Sequence, residues 1–230
     1  MATRNPLNLG AAARAMSNFG FPCLRVVNPY AVAFREARSA VGAAALLASA
    51  EEYATVAEAV ADCTLVVGTT AVQRRELQHP LERLERGARI IRRRLASSRV
   101  ALLFGSEKVG LSNQDLSHCH WLLRIPTRED HASMNLGQAV AICLYELARL
   151  PSVILKAEKQ EPPTAGELER ITKLLLDVLC ASGYLAPNPS IAAQEKLRRL
   201  VRRLRIPARD TEALLGMLRQ IQWKIRSGGK

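Results

Sequence analysis

The chain has few aromatic residues and no long apolar run. Aromatic residues make up 4% of its 230 residues, although 48% of the residues are apolar. That apolar fraction is enough for a folded core and excludes general disorder. A core of small and branched aliphatic side chains suits buried parallel strands better than an aromatic-rich sandwich. Because no apolar run is long enough to cross a bilayer and no signal peptide opens the sequence, we expect no membrane partner.

The cysteines are few and lie far apart, at Cys23, Cys63, Cys119, Cys143 and Cys180. No two of them form a Cys-x-x-Cys motif, and an odd number of scattered cysteines is typical of a reduced, cytoplasmic chain. The segment His118-Cys119-His120 resembles a fragment of a metal site. Adjacent side chains rarely reach one ion, however, and no second cluster lies nearby in the sequence. We therefore expect a cytoplasmic protein without a bound metal.

Acidic residues are too few to balance the basic ones. The chain has 33 Lys and Arg residues against 21 Asp and Glu residues, a net charge of +12. Residues 164–230 carry 13 basic and 6 acidic side chains, a net charge of +7, whereas residues 1–163 carry 20 and 15, a net charge of +5. This surplus predicts an anionic partner, nucleic acid above all, that contacts mainly the C-terminal part. The alternative is a solvated, arginine-rich surface.

The order of apolar segments predicts an α/β fold. Continuous apolar strands are predicted at 24–28, 64–68, 100–105 and 121–126. Helices are predicted at 5–20, 31–50, 56–61, 81–97 and 134–150. This alternation is typical of a parallel sheet with helices on both faces.

The composition changes after this α/β part. The polar segment 156–166 contains two prolines and is predicted to be a linker. We therefore predict one domain over residues 1–155 and a basic helical extension over residues 167–230.

Three loops that follow predicted strands carry glycine, threonine, serine or asparagine: Gly68–Ala71, Gly105–Gly110 and Ile125–Asn135. Ligands of open α/β sheets bind beyond the carboxyl ends of the strands, so we expect these loops to converge on one pocket. The GxxxxG of the second loop is not a P-loop, because Leu111 and Ser112 stand where lysine and Ser/Thr are required. No GxGxxG follows the first strand either. The alternative for this loop is a tight turn without a ligand.

Polar residues also stand beside two predicted helices. Asn8 is predicted to cap the first helix, and Ser133 and Asn135 flank the start of the apolar helix at 134–150. At such a position, side chains and backbone N–H groups either cap the helix or bind a ligand. Arg14 interrupts the alanine-rich first helix. It is either an ordinary surface arginine or, if this helix faces the glycine loops, a contact to phosphate or ribose.

Three segments together resemble the motifs of a known superfamily. They are NPLNLGAAARAM, FGSEKVGL and IPTREDHASMNLGQAVAI. Their order and spacing resemble the 2′-O-ribose RNA methyltransferase branch of the SPOUT superfamily. Within that branch, the chain is similar to the bacterial tRNA methyltransferases that modify the 2′-O of anticodon-loop nucleotide 32. The segment GTTAVQR (68–74) is similar to an additional loop of those enzymes, and the resemblance covers residues 5–150.

The resemblance implies a fold, a cofactor and partners that composition alone does not. It implies an α/β domain that ends in a deep trefoil knot, with S-adenosylmethionine (SAM) bound in the knot, and a homodimer with its active site at the interface. The implied substrate is RNA, with tRNA as the first choice. An rRNA ribose as the target, or a catalytically silent RNA-binding protein, are the alternatives.

One feature departs from the family pattern. Family members begin with a full strand before the first motif, whereas only Met1–Arg4 precede Asn5 here. We therefore expect either a misassigned start codon or a truncated first strand. Loss of the strand would expose a sheet edge and weaken the support beneath Asn8 and Arg14.

The resemblance also implies site residues. Those expected to surround SAM are Thr69, Thr70, Ala71, Gly105, Ile125, Ala132, Ser133 and Met134. Those expected near the reacting ribose are Asn8, Arg14, Glu107, Ser133 and Asn135. The family arginine that matches Arg14 is proposed to act as a base toward the 2′-OH. Because a guanidinium stays protonated in almost any protein setting, we interpret Arg14 as a phosphate clamp that orients the ribose.

A cluster of arginines marks the C-terminal extension. Arg198, Arg199, Arg202 and Arg203 lie on one predicted helix and are expected to contact RNA phosphates. Such contacts add affinity but little sequence choice. The alternative is that the arginine stems cover an apolar core.

Overall fold

Two parallel sheets form the framework of the protein. The structure is a computed structural model that describes residues 1, 5–29, 43–71, 77–106, 108–149 and 162–227. In the smaller sheet, β1 (Arg25–Val27) pairs with β2 (Glu51–Tyr53). The larger sheet has the spatial order β4–β6–β3–β5, and its neighbouring strands are parallel. Its strands are β3 (Leu65–Thr69), β4 (Leu81–Arg83), β5 (Val100–Leu103) and β6 (Trp121–Arg124).

The helices alternate with these strands along the chain. They are α1 (Pro6–Asn18), α2 (Ala44–Ala48), α3 (Val56–Ala59), α4 (Leu84–Leu95), α5 (Asn113–Ser117), α6 (Leu136–Arg149), α7 (Ala165–Ala181), α8 (Ile191–Arg203) and α9 (Ala208–Ser227), with a 3₁₀ turn at Glu129–His131. The predicted α/β class is confirmed. Of the helix predicted over 31–50, residues 30–42 lie outside the described residues. The expected truncated strand also falls on undescribed residues, since 2–4 are not described.

One prediction of local structure is wrong. Residues 81–83 were predicted to begin a helix, but they form strand β4, which pairs with β6, and the helix begins at Leu84. Strand β2 is not predicted from the sequence either. Both β2 and β4 have three residues, all of them exposed or half-buried, so neither strand produces an apolar run.

Helices cover both faces of the larger sheet. Along β3 and β6, side chains alternate between two cores, as the pleat of a strand requires. Val67 and Leu123 face the core formed with α1, α4 and α6, whereas Val66 and Leu122 face the core formed with α3 and α5. Because both faces of these strands are buried, their sequences are continuously apolar.

The C-terminal helices have a core of their own and are also attached to the sheet domain. Helix α7 begins at Ala165, two residues before the predicted boundary, because Thr164 and Glu167 form a capping box. Its first turn donates to the larger domain, from Ala165 N to Cys63 O at 2.7 Å and from Gly166 N to Ala61 O at 2.9 Å. Helices α7, α8 and α9 share a separate apolar core. In the ranges the structure describes, no helix is both long and apolar enough to cross a bilayer.

Candidate cofactor site and the C-terminal seam

A cavity of about 320 Å³ lies beyond the carboxyl ends of β3, β5 and β6. Its volume is in the range of small-molecule sites, roughly 300–1,000 Å³. The three loops singled out in the sequence all contribute to its wall. Every residue that the resemblance assigned to SAM is in the lining: Thr69, Thr70, Ala71, Gly105, Ile125, Ala132, Ser133 and Met134. The structure therefore brings together residues from three separate parts of the chain.

The Gly105–Gly110 loop is a closed turn whose shape depends on its own backbone. Ser106 N donates to Gly110 O at 3.2 Å, and Gly110 N donates to Ser106 O at 2.9 Å. A Cβ at Gly105 would lie 2.0 Å from the carbonyl carbon of Gly110 and 2.2 Å from Leu111 N. Glycine is therefore required at 105 by loop closure, before any ligand is considered. Glu107 lies outside the described residues.

Strand β3 supplies the next wall. Thr69 Oγ1 donates to Leu103 O at 2.9 Å, which links the end of β3 to β5. Thr70 N donates to Leu123 O at 3.0 Å, which links the same segment to β6. The loop that follows β3 is thus fixed between its two neighbouring strands. The apolar members of the lining, such as Leu111 and Leu116, are not predicted from the sequence. Their only signal was their place directly after the glycine loop.

Asn135 connects the third loop to α1. Its Oδ1 accepts from Gly137 N at 2.9 Å and Gln138 N at 3.3 Å, so Asn135 caps the apolar helix α6. Its Nδ2 donates to Asn8 Oδ1 at 2.7 Å. The prediction that Asn8 caps α1 is wrong. Asn5 caps that helix by accepting from Leu7 N at 3.0 Å, and Pro6 occupies the first helical position.

Helix α1 crosses the start of α6 at close range. A Cβ on Gly137 would lie 2.6 Å from the Cβ of Ala11, so glycine allows this approach. Arg14 lies one turn beyond Ala11 on α1 and is exposed. Of the described residues, Asn8, Arg14 and Asn135 are outside the cavity lining, whereas Ser133 and Met134 are in it. Asn8 and Asn135 are bonded to each other where α1 meets the start of α6, and Asn135 lies between the lining residues Met134 and Leu136 in the sequence.

The arginines of α8 are divided between the interior and the surface. Arg198 binds Glu169 with two hydrogen bonds of 2.9 and 3.0 Å and donates from Nη1 to Ser117 Oγ at 3.0 Å. Arg202 Nε donates to His118 O at 3.0 Å. The side chains of Arg198 and Arg202 are only 14% and 2% exposed. This placement contradicts their predicted phosphate contacts, because both guanidinium groups already bind acceptors inside the protein.

The other two arginines differ from each other. Arg199 is 14% exposed and lies 3.7 Å from Glu195, so it too faces the protein. Arg203 is exposed. The alternative interpretation, arginine side chains packed over a core, therefore describes three of the four residues, and the predicted RNA contact is kept for Arg203.

Burial controls the charges at this seam between α5 and α8. Desolvation lowers the pKa of His118 to about 3 and that of His120 to about 4, and nearby arginines add to the effect. Burial alone would raise the pKa of Glu169, but hydrogen bonds from Arg198 hold it below its ordinary value. Burial lowers the pKa of Arg202 to about 10. With these pKa values, His118 and His120 are neutral at neutral pH, whereas Glu169 and Arg202 are charged.

The fragment His118-Cys119-His120 has structural contacts. His120 Nδ1 accepts from Val66 N at 3.0 Å, and Cys119 is fully buried against β3. Over the part of the chain that the structure describes, no three His, Cys, Asp or Glu side chains are grouped so that they could hold a metal ion.

Comparisons with known proteins identify the family. The SpoU rRNA methylase family model matches residues 1–145, so the chain belongs to that family, which agrees with the resemblance of the three motifs. A tRNA (cytidine/uridine-2′-O-)-methyltransferase TrmJ from Sodalis glossinidius is 37% identical over 221 residues, covering 94% of this chain and 86% of the relative. The crystal structure of TrmJ from Z. mobilis ZM4 has a TM-score of 0.83 and 32% identity, covering 96% of both chains.

Proposed function

We propose that the protein is a SAM-dependent RNA methyltransferase that methylates a ribose 2′-OH of tRNA, at nucleotide 32 of the anticodon loop. The observation that carries the proposal is the cavity, whose lining contains all eight residues assigned to SAM from the motifs. The relative from Sodalis glossinidius is named as a tRNA (cytidine/uridine-2′-O-)-methyltransferase, and it matches 94% of this chain.

The residues of the cavity suit SAM. Leu111, Leu116, Leu123 and Ile125 provide an apolar wall for an adenine ring, and the loop backbone beside them offers polar groups for its edge. The second loop holds its shape through its own hydrogen bonds, so this wall needs little ordering on binding. When bound, SAM supplies an electrophilic methyl group.

The α1–α6 side of the cavity is suited to hold the ribose. Asn8 and Asn135 are bonded to each other at 2.7 Å, which fixes two amide groups beside Ser133. Arg14 is permanently charged and positions a phosphate next to the reacting sugar, which lowers the cost of a developing alkoxide at the 2′-oxygen. The oxygen bonds to the methyl carbon as the carbon–sulfur bond breaks, and the hydroxyl proton leaves to solvent. Positioning of this kind lowers the activation free energy by up to about 7–11 kcal/mol.

The proposal includes the trefoil knot and the homodimer. The knot is carried over from the family resemblance, and the order β4–β6–β3–β5, with the last strand between two earlier ones, agrees with it. Exposed apolar residues on the neighbouring helices α1 and α6 support a dimer interface. Leu7 is 79% exposed, Tyr145 is 54% exposed and Ile142 is 38% exposed. Sedimentation equilibrium of the full chain tests the dimer.

Transfer of a tritiated methyl group from SAM to unmodified tRNA tests the function. We expect label in tRNA, resistant to alkaline hydrolysis as a 2′-O-methylated dinucleotide, at nucleotide 32. Label in rRNA alone would change the substrate to the alternative target. No label, with SAM and tRNA both bound, would identify a silent RNA-binding protein and contradict the proposal.

A further inference from the structure

The C-terminal extension reaches the sheet domain through a buried ionic cluster. Arg198 bridges Glu169 of α7 and Ser117 of α5, and Arg202 donates to the carbonyl of His118. Glu169 is 7% exposed and Arg202 is 6% exposed. These contacts join residues that are 81 and 84 positions apart in the chain. Both arginines therefore attach the extension to one short segment, Ser117–His118.

This segment adjoins the cavity wall without lining it. Helix α5 follows the glycine loop, and the cavity is lined by Leu111, two residues before the helix, and by Leu116, in its last turn. Leu116 immediately precedes Ser117, the residue that accepts from Arg198. A displacement of α5 would consequently move an apolar wall of the cavity.

Helix α5 has few stabilising contacts of its own. It has five residues, too few for a helix that is stable by itself. A capping box of Ser112 and Asp115 fixes its N-terminus. At its C-terminus, Arg202 binds the carbonyl of His118, one of the acceptors that a helix end leaves without a partner. The extension therefore completes the end of the helix that faces away from the glycine loop.

The residues after α5 reach a second wall. A Cβ on Gly68 would lie 2.8 Å from Cys119 Sγ, so Cys119 packs directly on β3. His120 N donates to Val66 O at 2.8 Å on the same strand. Thr69, the next residue after Gly68, lines the cavity. The two residues that follow the segment held by the arginines thus pack on β3, whose end forms another wall of the cavity.

We propose that Arg198 and Arg202 are positioning residues for the SAM site, which they hold in shape by fixing Ser117 and His118 from outside the sheet domain. This inference rests on the proposed use of SAM. It assigns to the extension a role in cofactor binding that is separate from RNA contact. The extension and the cofactor cavity are then coupled, and whatever orders one stabilises the other.

The test measures cofactor affinity without RNA. Calorimetric titration with S-adenosylhomocysteine compares the full chain with Arg198→Ala, Arg202→Ala and the control Arg203→Ala, which removes the same charge from the exposed side of α8. We expect the first two variants to bind roughly tenfold more weakly and the control to bind as the parent does. Equal affinity in all four proteins, or an equal loss in the control, would overturn the proposal.

A second pair of measurements separates positioning from RNA contact and from misfolding. Under the proposal, Arg198→Ala and Arg202→Ala raise the KM for SAM, while the affinity for tRNA at saturating S-adenosylhomocysteine stays within about twofold. A selective loss of tRNA affinity with a reduced salt slope would instead indicate phosphate contacts and contradict it. Hydrogen exchange should rise in residues 111–118 for these variants and not for Arg203→Ala.

The mildest variant is Ser117→Ala, which removes one acceptor and leaves the Arg198–Glu169 pair in place. If Arg198 acts through Ser117, the double variant Ser117→Ala/Arg198→Ala loses less affinity for S-adenosylhomocysteine than the two single variants would lose independently. Strict additivity would overturn this route. If the parent chain itself binds no SAM, the proposed function fails, and this inference fails with it. Failure of the inference alone leaves parent binding and methyl transfer intact.

Discussion

The cofactor cavity and the α8 seam are both formed by residues far apart in sequence, but only the cavity was anticipated. Its glycines and helix-start residues specify backbone geometry, so their neighbours follow from the order of parallel strands. Gly105, for example, leaves no space for a Cβ. An arginine specifies much less, since its long stem reaches either solvent or an interior acceptor. Arg202 and Arg203 are adjacent in the sequence, yet one is 6% exposed and the other lies on the surface.

The largest effect is expected at Arg14, an exposed residue of helix α1. Arg14→Ala should lower kcat/KM for tRNA methylation on the order of 1,000-fold, because it removes the charge that orients the ribose. Single-turnover methylation with tritiated SAM measures this effect. Arg83→Ala, a control at the end of strand β4 whose side chain is 71% exposed, should retain its rate. Near-parental turnover of the Arg14 variant would exclude both the clamp and the base role.

The next effect separates the two glycines of the second loop. Gly105→Ala places a Cβ 2.0 Å from the Gly110 carbonyl carbon and must open the turn, so SAM affinity should fall on the order of 100-fold. Gly110 has a φ of +68° but open space around its missing Cβ. Gly110→Ala should therefore add only backbone strain, about 1–2 kcal/mol, and lower the affinity for SAM less than Gly105→Ala does. Calorimetry with S-adenosylhomocysteine measures both, and equal losses would show that steric closure is not the reason for Gly105.

At the seam, a smaller effect should follow pH. His118 and His120 have native pKa values of about 3 and 4, below the ordinary value of 6.5. Between pH 6.5 and pH 4, the unfolded chain binds protons that the native chain does not, so stability is lost as the pH falls. The expected slope is about 1 kcal/mol per pH unit for each histidine. Urea unfolding at pH 7, 6 and 5 measures it.

A matched pair of variants assigns this slope. His120→Asn keeps an acceptor for Val66 N and should reduce the slope, whereas His131→Asn, whose side chain is 84% exposed, should leave it unchanged. A free energy of unfolding that is flat between pH 7 and pH 5 would show that these histidines do not stay neutral in the native protein.

The smallest effect is expected on the exposed side of α8. Arg203→Ala should weaken tRNA binding a few-fold and reduce the slope of log affinity against log salt by about 1, as expected for the loss of one phosphate contact. Filter binding at several salt concentrations measures the slope. An unchanged slope would remove Arg203 from the RNA surface and leave none of the four predicted arginines there.

The contrast between the cavity and the α8 seam also explains which elements and contacts could be predicted from the sequence. Strands β3 and β6 were located because burial on both faces gives continuous apolar runs, and β5 because all four of its residues are apolar. Strands β2 and β4 have only exposed or half-buried residues, charged ones among them, and gave no such signal. The cap of α1 was assigned to Asn8 and is Asn5, since two asparagines stand near one helix start and only geometry distinguishes them. Arg198 contacts Ser117 and Glu169, which belong to distant segments of the chain, and no local sequence pattern predicts these contacts.

A crystal structure of the full chain with S-adenosylhomocysteine bound tests the central claim most directly. We expect the ligand to lie beyond the carboxyl ends of β3, β5 and β6, with its adenine among Leu111, Leu116 and Ile125 and with Gly105–Gly110 beside it. We also expect Arg198 and Arg202 to keep their bonds to Ser117 and His118 in the bound state. A ligand bound elsewhere would contradict the proposed cofactor site. An extension detached from α5 while the ligand fills the cavity would contradict the positioning role of Arg198 and Arg202.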